Sequence, residues 1–225
     1  MNINKINRLD LLIALICLVV IVALPPLGVM ISFVIVILYL LVGKDRKQKL
    51  KSIGFTRPKS WLKTIFICLL LAIVIETSFQ VFFNPIIEKL TTSKIDLSAY
   101  DNIRGNFPNY LIMLMVGWVV GGFIEEILFR GFLITRLLRL FTNTNTGNWF
   151  AIVLTSTVFG FSHLYQGWSG VISTGLIAAL FGIIFIKNNK ILWYSILTHG
   201  FVNVVGLTLI YLNLDKYLSS LILPW

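Results

Sequence analysis

The chain has 225 residues, of which 57% are hydrophobic and only 12% are charged. A soluble domain of this length carries more charge, so the composition excludes an ordinary globular protein and indicates membrane-spanning helices. The net charge of +10 does not by itself indicate nucleic-acid binding, because most of the basic residues flank hydrophobic runs. Both cysteines, Cys17 and Cys68, lie inside apolar runs, which favours buried or lipid-facing thiols over a disulfide or a metal site.

The first hydrophobic run covers residues 11–43 and is interrupted only around Pro25 and Pro26. No small-residue cleavage site follows it, so we interpret the run as membrane-embedded rather than as a signal peptide. A hairpin at the prolines, with two spans of roughly 16 to 17 residues, places the basic N-terminus and the basic segment 44–63 on one side. The composition of segment 44–63 predicts a topology signal that contacts anionic lipid headgroups.

Five further spans are expected, at residues 62–83, 109–141, 149–165, 169–186 and 191–212. The sequence therefore predicts an all-α, polytopic membrane helix bundle of about seven transmembrane helices with a cytoplasmic N-terminus. In this orientation the cytoplasmic segments hold most of the Lys and Arg residues, as the positive-inside rule requires. We divide the chain into a three-span region 1–108, a four-helix core 109–212 and a short tail 213–225, within one structural unit.

The span at 109–141 contains two adjacent carboxylates and an arginine at membrane depth. Ionisable groups are costly there, so their presence indicates a function. Glu126 and Arg130 are spaced i, i+4 with the acid first, which predicts an ion pair. Glu125 lies about 100° round the helix from Glu126 and has no basic partner in its own turn. We therefore expect Glu125 to be the free carboxylate that faces the interior of the bundle.

Both histidines also lie in hydrophobic spans, His163 near the end of the span at 149–165 and His199 within that at 191–212. At 1.5 Å per residue, Glu125, His163 and His199 lie about 14–21 Å from the predicted inner boundary of the membrane. The three side chains are therefore expected in one layer, as a buried site requires.

A polar stripe on the span at 62–83 could reach the same layer. Glu76 and Gln80 lie on one helical face, and Asn84 continues it. This stripe is either a surface that faces the substrate, or Glu76 is a protonated or hydrogen-bonded glutamate inside the bundle, and the sequence leaves both alternatives open.

Three short motifs occur in order on successive hydrophobic spans: EExxxR at Glu125, Glu126 and Arg130, FxxxH at Phe159 and His163, and HxxxN at His199 and Asn203. Their combination resembles the CPBP family of CAAX-type intramembrane endopeptidases and bacteriocin-processing or immunity (Abi) proteins, also called type II CAAX prenyl endopeptidase-like. The resemblance implies hydrolysis of a peptide bond inside the membrane. The catalytic residues that it implies are Glu125, Glu126, His163, His199 and Asn203, with Arg130 and Phe159 in support.

Two mechanisms remain open at this point. In the first, Glu125 and His163 deprotonate a water molecule that attacks the scissile carbonyl, and His199 and Asn203 stabilise the oxyanion. In the second, which the family's metalloprotease label implies, His163, His199 and Glu125 bind a zinc ion. We favour the first, because Asn203 is a poor zinc ligand and HExxH is absent, and we keep zinc as the alternative cofactor.

The expected partners are membrane lipid and a membrane-associated peptide or protein substrate, without nucleic acid. The basic belt favours a substrate presented from the cytoplasmic side. An amino-acid composition rich in Lys, Ile and Asn is typical of an AT-rich bacterium, so we expect the protein in a bacterial plasma membrane. The expected substrate is then a small membrane peptide such as a pheromone or a bacteriocin leader. The alternative is a non-catalytic bacteriocin immunity or scaffold protein. A transporter fits less well, because the sequence shows no two-fold repeat.

Overall fold

The computed structural model describes residues 8–42, 44–141 and 144–220, except for the side chains of Lys216, Ser219 and Ser220. Every regular element in these ranges is helical. The helices are α1 (Arg8–Ala23), α2 (Leu27–Leu41), α3 (Arg46–Ser52), α4 (Trp61–Thr91), α5 (Phe107–Phe141), α6 (Asn145–Ser162), α7 (Gly167–Lys187), α8 (Leu192–Tyr211) and α9 (Leu214–Ser220). The prediction of an all-α fold is confirmed for this part of the chain.

Four of the described helical stretches are long and apolar enough to cross a membrane: α4, α5, Leu164–Lys187 with α7, and α8. The chain is therefore a membrane protein. The number of seven spans and the cytoplasmic N-terminus stay predictions, because α1 and α2 are shorter and α6 begins with a polar turn. The basic N-terminus before residue 8, the last residue of the first hydrophobic run, residues 142–143 between two expected spans and the end of the tail lie outside the described residues.

The predicted hairpin at Pro25 and Pro26 is present. Helices α1 and α2 pack against each other on either side of this turn. Ser32 on α2 donates a hydrogen bond to the carbonyl of Cys17 on α1, at 3.3 Å, and both side chains are fully buried. The thiol of Cys17 is free, so it packs inside the hairpin as the apolar context predicted.

Helix α4 is longer than the sequence predicted. We expected a loop from residue 84, because Pro85 cannot donate a backbone hydrogen bond. Instead the helix passes through a wide π-helical turn at Phe79–Phe83 and continues as Asn84–Thr91, with Pro85 in the first turn of the new segment. The first turn of a helix has no internal acceptor for that N–H, so the proline is tolerated there.

Helix α5 runs through the centre of the bundle. It begins after Asn106, whose side chain accepts a hydrogen bond from the N–H of Asn109 at 3.2 Å, as an N-cap does. Two π-helical stretches, Gly117–Glu125 and Ile127–Ile134, make it wider than an α-helix over most of its middle. Residues 128–138 are all buried, so the second half of α5 forms the core against which the other helices pack.

Contacts between connecting segments define one end of the bundle, which we call the basic end. The guanidinium of Arg139 donates to Asp10 at 2.6 Å, and the N–H of Leu192 donates to the carbonyl of Gly54 at 2.9 Å. The basic segment 44–63 therefore lies at this end, together with the start of α1 and the end of α5.

The opposite end, which we call the loop end, is closed in part by the segment between α4 and α5. The N–H of Asp96 donates to the carbonyl of Gln166, and that of Gly105 to the carbonyl of Tyr211, both at 3.0 Å. A short 3-10 helix, Ser98–Ile103, lies between these two attachments. The loop end therefore gathers the termini of α4, α7 and α8.

Candidate active site

A cavity of about 1090 Å³ occupies the half of the bundle nearer the loop end. Its walls come from α2, α4, the first half of α5, the end of α6, α7 and α8, and the segment between α4 and α5 and the start of α9 line it at the loop end. The cavity is lined by the polar side chains of Glu76, Gln80, Asn84, Glu125, His163, His199 and Asn203, and by Phe159. The structure thus brings together all the predicted site residues except Glu126 and Arg130, which lie directly behind the cavity wall.

Glu126 and Arg130 form the ion pair that their spacing predicts. Nη1 of Arg130 lies 2.8 Å from Oε1 of Glu126, and the two side chains are 2% and 0% exposed. The second guanidinium nitrogen, Nη2, donates to the carbonyl of Ala178 on α7 at 2.7 Å. Phe159 and Phe181 flank the guanidinium, with ring centroids at 5.1 and 5.3 Å. The pair therefore joins α5 to α6 and α7 in a region sealed from the cavity.

His199 connects this sealed pair to the cavity. Its Nδ1 lies 2.8 Å from the same oxygen of Glu126 that Arg130 binds. Because a carboxylate oxygen accepts, Nδ1 carries the proton, and Nε2 is the nitrogen on the cavity side. Nε2 lies 3.9 Å from Oε2 of Glu125, and the ring stacks on Phe181 with centroids 4.6 Å apart. The imidazole is thus fixed in position and in tautomer.

Glu125 differs sharply from its neighbour in sequence. Its side chain is 12% exposed and lines the cavity. Within the described chain it makes no hydrogen bond, and its nearest basic group is Nε2 of His199. A carboxylate in this setting is available to a ligand or a water molecule, as the sequence predicted for Glu125.

His163 lies at the end of α6, on the cavity wall. Its Nδ1 lies 3.0 Å from the carbonyl of Phe159 and 3.1 Å from the hydroxyl of Ser162. Since the carbonyl can only accept, Nδ1 carries the proton and Nε2 keeps its lone pair. The ring stacks on the Phe159 ring with centroids 4.8 Å apart. The FxxxH spacing therefore orients the imidazole through both the backbone and the ring of the phenylalanine.

Asn203 is held against α5 by two glycines. Its Nδ2 donates to the carbonyl of Gly117 at 2.9 Å. A Cβ at Gly121 would lie 2.3 Å from this nitrogen and 3.2 Å from Nε2 of His199, so any other residue there would displace the amide. A primary amide has two N–H groups, and the second N–H of Asn203 remains as a donor.

The polar stripe on α4 forms part of the opposite wall. Nε2 of Gln80 donates to Oε1 of Glu76 at 2.9 Å. The hydroxyl of Ser173 on α7 donates to Oδ1 of Asn84 at 2.6 Å. The stripe is therefore hydrogen-bonded and also faces the cavity, and contact with a substrate stays a prediction.

Beyond the stripe, Arg104 crosses the mouth of the cavity. Its Nη1 and Nη2 donate to the two carboxylate oxygens of Asp215 at 2.9 and 2.8 Å, and its Nε lies 2.9 Å from Asp101. The Asp215 carboxylate raises the pKa of Arg104 above its ordinary value. This ion pair attaches the start of α9 to the segment that covers the loop end.

The geometry gives no support to a zinc ion held by His163, His199 and Glu125. In the described ranges no three His, Cys, Asp or Glu side chains come close enough together to bind a metal, whereas zinc requires ligand atoms at about 2.0–2.3 Å. The hydrolysis that we propose for this site uses no metal ion.

The cavity lies at the end of the bundle opposite to the side from which we expected the substrate to approach. We expected presentation from the side of the basic belt. The lining contains no residue of segment 44–63, whereas Lys94, Tyr100 and Asp101 of the loop end do line it. The cavity therefore opens opposite the basic end, because the buried second half of α5 fills the bundle on the basic side.

Two contributors to the site were missed in the sequence. Phe181 stacks on His199 and lies against Arg130, and no local pattern on α7 distinguishes it from other core aromatics. The spacing in the sequence could have indicated Gly121, because it precedes Glu125 by four residues and so shares its face of the helix. Its small size could have been read as room for a neighbouring polar group rather than only as helix packing.

Comparison with known proteins agrees with this arrangement of motifs. Residues 107–205, somewhat under half of the chain, match the family model described as Rce1-like: Type II CAAX prenyl endopeptidase Rce1-like. No curated protein and no solved structure shows a significant match to the chain. The matched stretch begins with α5, ends within α8 and contains all three motifs. The family resemblance that the motifs predicted is therefore confirmed over residues 107–205 of this membrane protein, which match a family of proteases.

Proposed function

We propose that this protein is an intramembrane endopeptidase that hydrolyses a peptide bond of a membrane-associated peptide by means of a water molecule activated by Glu125. The single observation that carries the proposal is the contrast between adjacent glutamates. Glu126 is neutralised by Arg130 and His199, whereas Glu125 faces a large cavity without a hydrogen-bond partner in the described chain. Of the two, only Glu125 is accessible to water and substrate.

In this mechanism Glu125 acts first as a general base. It accepts a proton from water while the water oxygen attacks the scissile carbonyl carbon. The free Nε2 of His163 is a second acceptor on the cavity wall and helps to orient the water. The protonated Glu125 then gives its proton to the leaving amide nitrogen, the C–N bond breaks, and the products are a carboxylic acid and an amine.

The negative charge on the carbonyl oxygen in the tetrahedral intermediate requires donors that are already oriented. The second N–H of Asn203 is one such donor. The other is Nε2 of His199 in the form of the ring that carries a proton on both nitrogens, with Nδ1 donating to Glu126 as the histidine of a catalytic triad donates to its carboxylate. Glu126 therefore positions His199 and is not itself in contact with substrate.

The position of the cavity mouth determines how a substrate approaches. A peptide enters from the loop end, on the side of the membrane opposite the basic segment 44–63. If the basic end faces the cytoplasm, as the positive-inside rule predicts, the cavity faces the outer side. A small peptide at the outer face of a bacterial plasma membrane, such as a pheromone or a released leader, is then the substrate class that fits.

The test compares the wild type with Glu125→Gln for cleavage of candidate membrane peptides, followed by mass spectrometry. We expect the rate to fall by about 10²–10⁴-fold, with an unchanged melting temperature, because Gln preserves shape and removes only the base. Glu88→Gln is the matched control, since Glu88 lines the same cavity but its carboxylate accepts from the N–H of Ile95 at 2.9 Å. Cleavage that survives in Glu125→Gln would overturn the role of Glu125 as the base, whereas a wild type that cleaves none of the candidate peptides would favour a non-catalytic immunity protein.

The same preparation tests the role of metal. We expect purified wild-type protein to cleave after treatment with a chelator and to contain no stoichiometric zinc. One equivalent of zinc that is lost together with activity would contradict the metal-free mechanism.

A further inference from the structure

One carboxylate in the cavity has no part in the proposed chemistry. Glu76 is only 7% exposed and lies on the cavity wall. Its Oε1 accepts from Gln80. Its Oε2 has no hydrogen-bond partner in the described chain and, unlike Oε2 of Glu126, is not sealed from the cavity. A buried carboxylate costs considerable free energy unless a cation compensates it, and within the described residues Glu76 has no ion pair.

The position of Glu76 relative to the reacting groups follows from its contact with α8. A Cβ at Gly206 would lie 2.8 Å from Oε1 of Glu76, so the carboxylate packs directly against that glycine. Gly206 follows His199 by seven residues and Asn203 by three, which puts all three on one face of the helix. Glu76 therefore lies about 10 Å from His199 along the helix axis, towards the loop end.

This distance corresponds to a short stretch of substrate. An extended peptide advances about 3.3 Å per residue. A peptide whose scissile bond lies beside Glu125 and His199 therefore brings a side chain to Glu76 roughly three residues away, on the side of the cavity mouth.

The other acidic groups of the cavity are already engaged. Glu88 accepts from the N–H of Ile95, and both Asp101 and Asp215 bind Arg104. Glu76 and Glu88 each accept one hydrogen bond from a neutral donor, but of the two only Glu76 is buried. A peptide cation that passes the mouth therefore meets at Glu76 a buried carboxylate with no ion partner in the described chain.

We propose that Glu76 is a recognition site for a cationic side chain, lysine or arginine, that lies about three residues from the scissile bond of the substrate. Gln80 orients the carboxylate by donating to Oε1 and leaves Oε2 for the incoming cation. The distance in residues rests on the proposed peptidase function, since that function locates the scissile bond. The binding of the cation itself does not depend on it.

The experiment measures binding in the Glu125→Gln background, in nanodiscs of phosphatidylcholine, so that neither turnover nor anionic lipid contributes. The probes are fluorescently labelled apolar peptides with one lysine at successive positions, each with a twin that carries uncharged norleucine instead. At one position we expect lysine to bind on the order of tenfold more tightly than norleucine. Adding Glu76→Gln should reduce this ratio to about one, whereas adding Glu88→Gln should preserve it.

A second measurement needs no substitution at Glu76, in case that variant fails to fold. Carbodiimide joins a lysine amine to a carboxylate in direct contact, and mass spectrometry then identifies the joined residue. We expect the lysine peptide to be attached to Glu76 and the norleucine twin not to react. Attachment only to Glu88, Asp101 or Asp215 would overturn the inference, as would a lysine preference that persists in Glu76→Gln or is absent with Glu76 in place.

The two proposals can fail separately. If the wild type cleaves none of these peptides but lysine binding depends on Glu76, the peptidase proposal fails and the cation site stands. If the wild type cleaves them and neither binding nor cleavage depends on lysine, the cation site fails and the peptidase stands.

Discussion

The two halves of this bundle differ in whether their buried ionisable groups have an ion partner in the described chain. Behind the cavity wall, Glu126 and Arg130 are almost completely buried, and each has a charged or polar partner within 3 Å. On the cavity side, Glu76 and Glu125 have no ion partner within hydrogen-bonding distance in the described chain. Since a buried charge is tolerated when it is paired, we regard the sealed pair as part of the fold. The carboxylates without an ion partner are then the groups that remain for ligands.

The largest effect should follow from breaking the sealed pair. Arg130→Met leaves Glu126 buried without its main cation, and we expect a loss of about 3–5 kcal/mol of stability. The melting temperature in detergent, followed by tryptophan fluorescence, measures it. Arg57→Met is the matched control, because Arg57 is exposed on the basic segment.

A double variant sharpens this prediction. Arg130→Met combined with Glu126→Leu removes both charges, so it should be more stable than Arg130→Met alone. If Arg130→Met melts at the same temperature as Arg57→Met, the pair does not stabilise the fold, and the distinction between the two halves is lost.

His199 has one ring nitrogen in each half, so two substitutions can separate its roles. His199→Asn keeps a donor near Nδ1 for Glu126 and removes the cavity nitrogen. His199→Gln keeps a nitrogen near Nε2 and loses the bond to Glu126. We expect Asn to lower the cleavage rate by about 10²–10³-fold with little change in melting temperature, and Gln to lower the melting temperature more. Equal losses in both variants would show that the two nitrogens do not have separate roles.

The smallest effect is expected at the mouth, where the Arg104–Asp215 pair is partly exposed. Arg104→Gln should cost about 1 kcal/mol or less. Because the pKa of Arg104 is raised, its contribution is complete below the ordinary pKa of arginine and is lost only as the pH rises above that value. The difference in melting temperature between wild type and Arg104→Gln should therefore stay constant between pH 6 and pH 9. A difference that changes over this range would contradict the assignment.

What the sequence predicted well was local. Glu126 and Arg130 are four residues apart, so helical geometry alone placed them together. The same geometry separated Glu125 from them. The depth of each residue in its span then placed the acid and both imidazoles in one layer, and the structure brings all three to one cavity.

What the sequence could not provide depended on distant contacts. The bond from His199 to Glu126 joins residues 73 positions apart, and no spacing rule indicates which glutamate each imidazole meets. Likewise, Ser173 and Asn84 are 89 positions apart. The continuation of α4 past Pro85 depends on a wide turn that propensity does not anticipate. The position of the cavity was also not predictable, because charge distribution reports on orientation in the membrane and not on where the helices separate.

The wide turns of α5 have a consequence for comparing this chain with its relatives. Each π-helical turn accommodates one more residue than an α-helical turn, and neighbouring residues on a helix point about 100° apart. In a relative that lacks one residue between Gly117 and Glu125, a wide turn closes to an α-helical one, and the first acid of its EE pair still faces the interior. Alignments of this motif should therefore permit a single-residue gap upstream of it. Without that gap, the second glutamate of such a relative aligns with Glu125, and the roles of the two acids are exchanged.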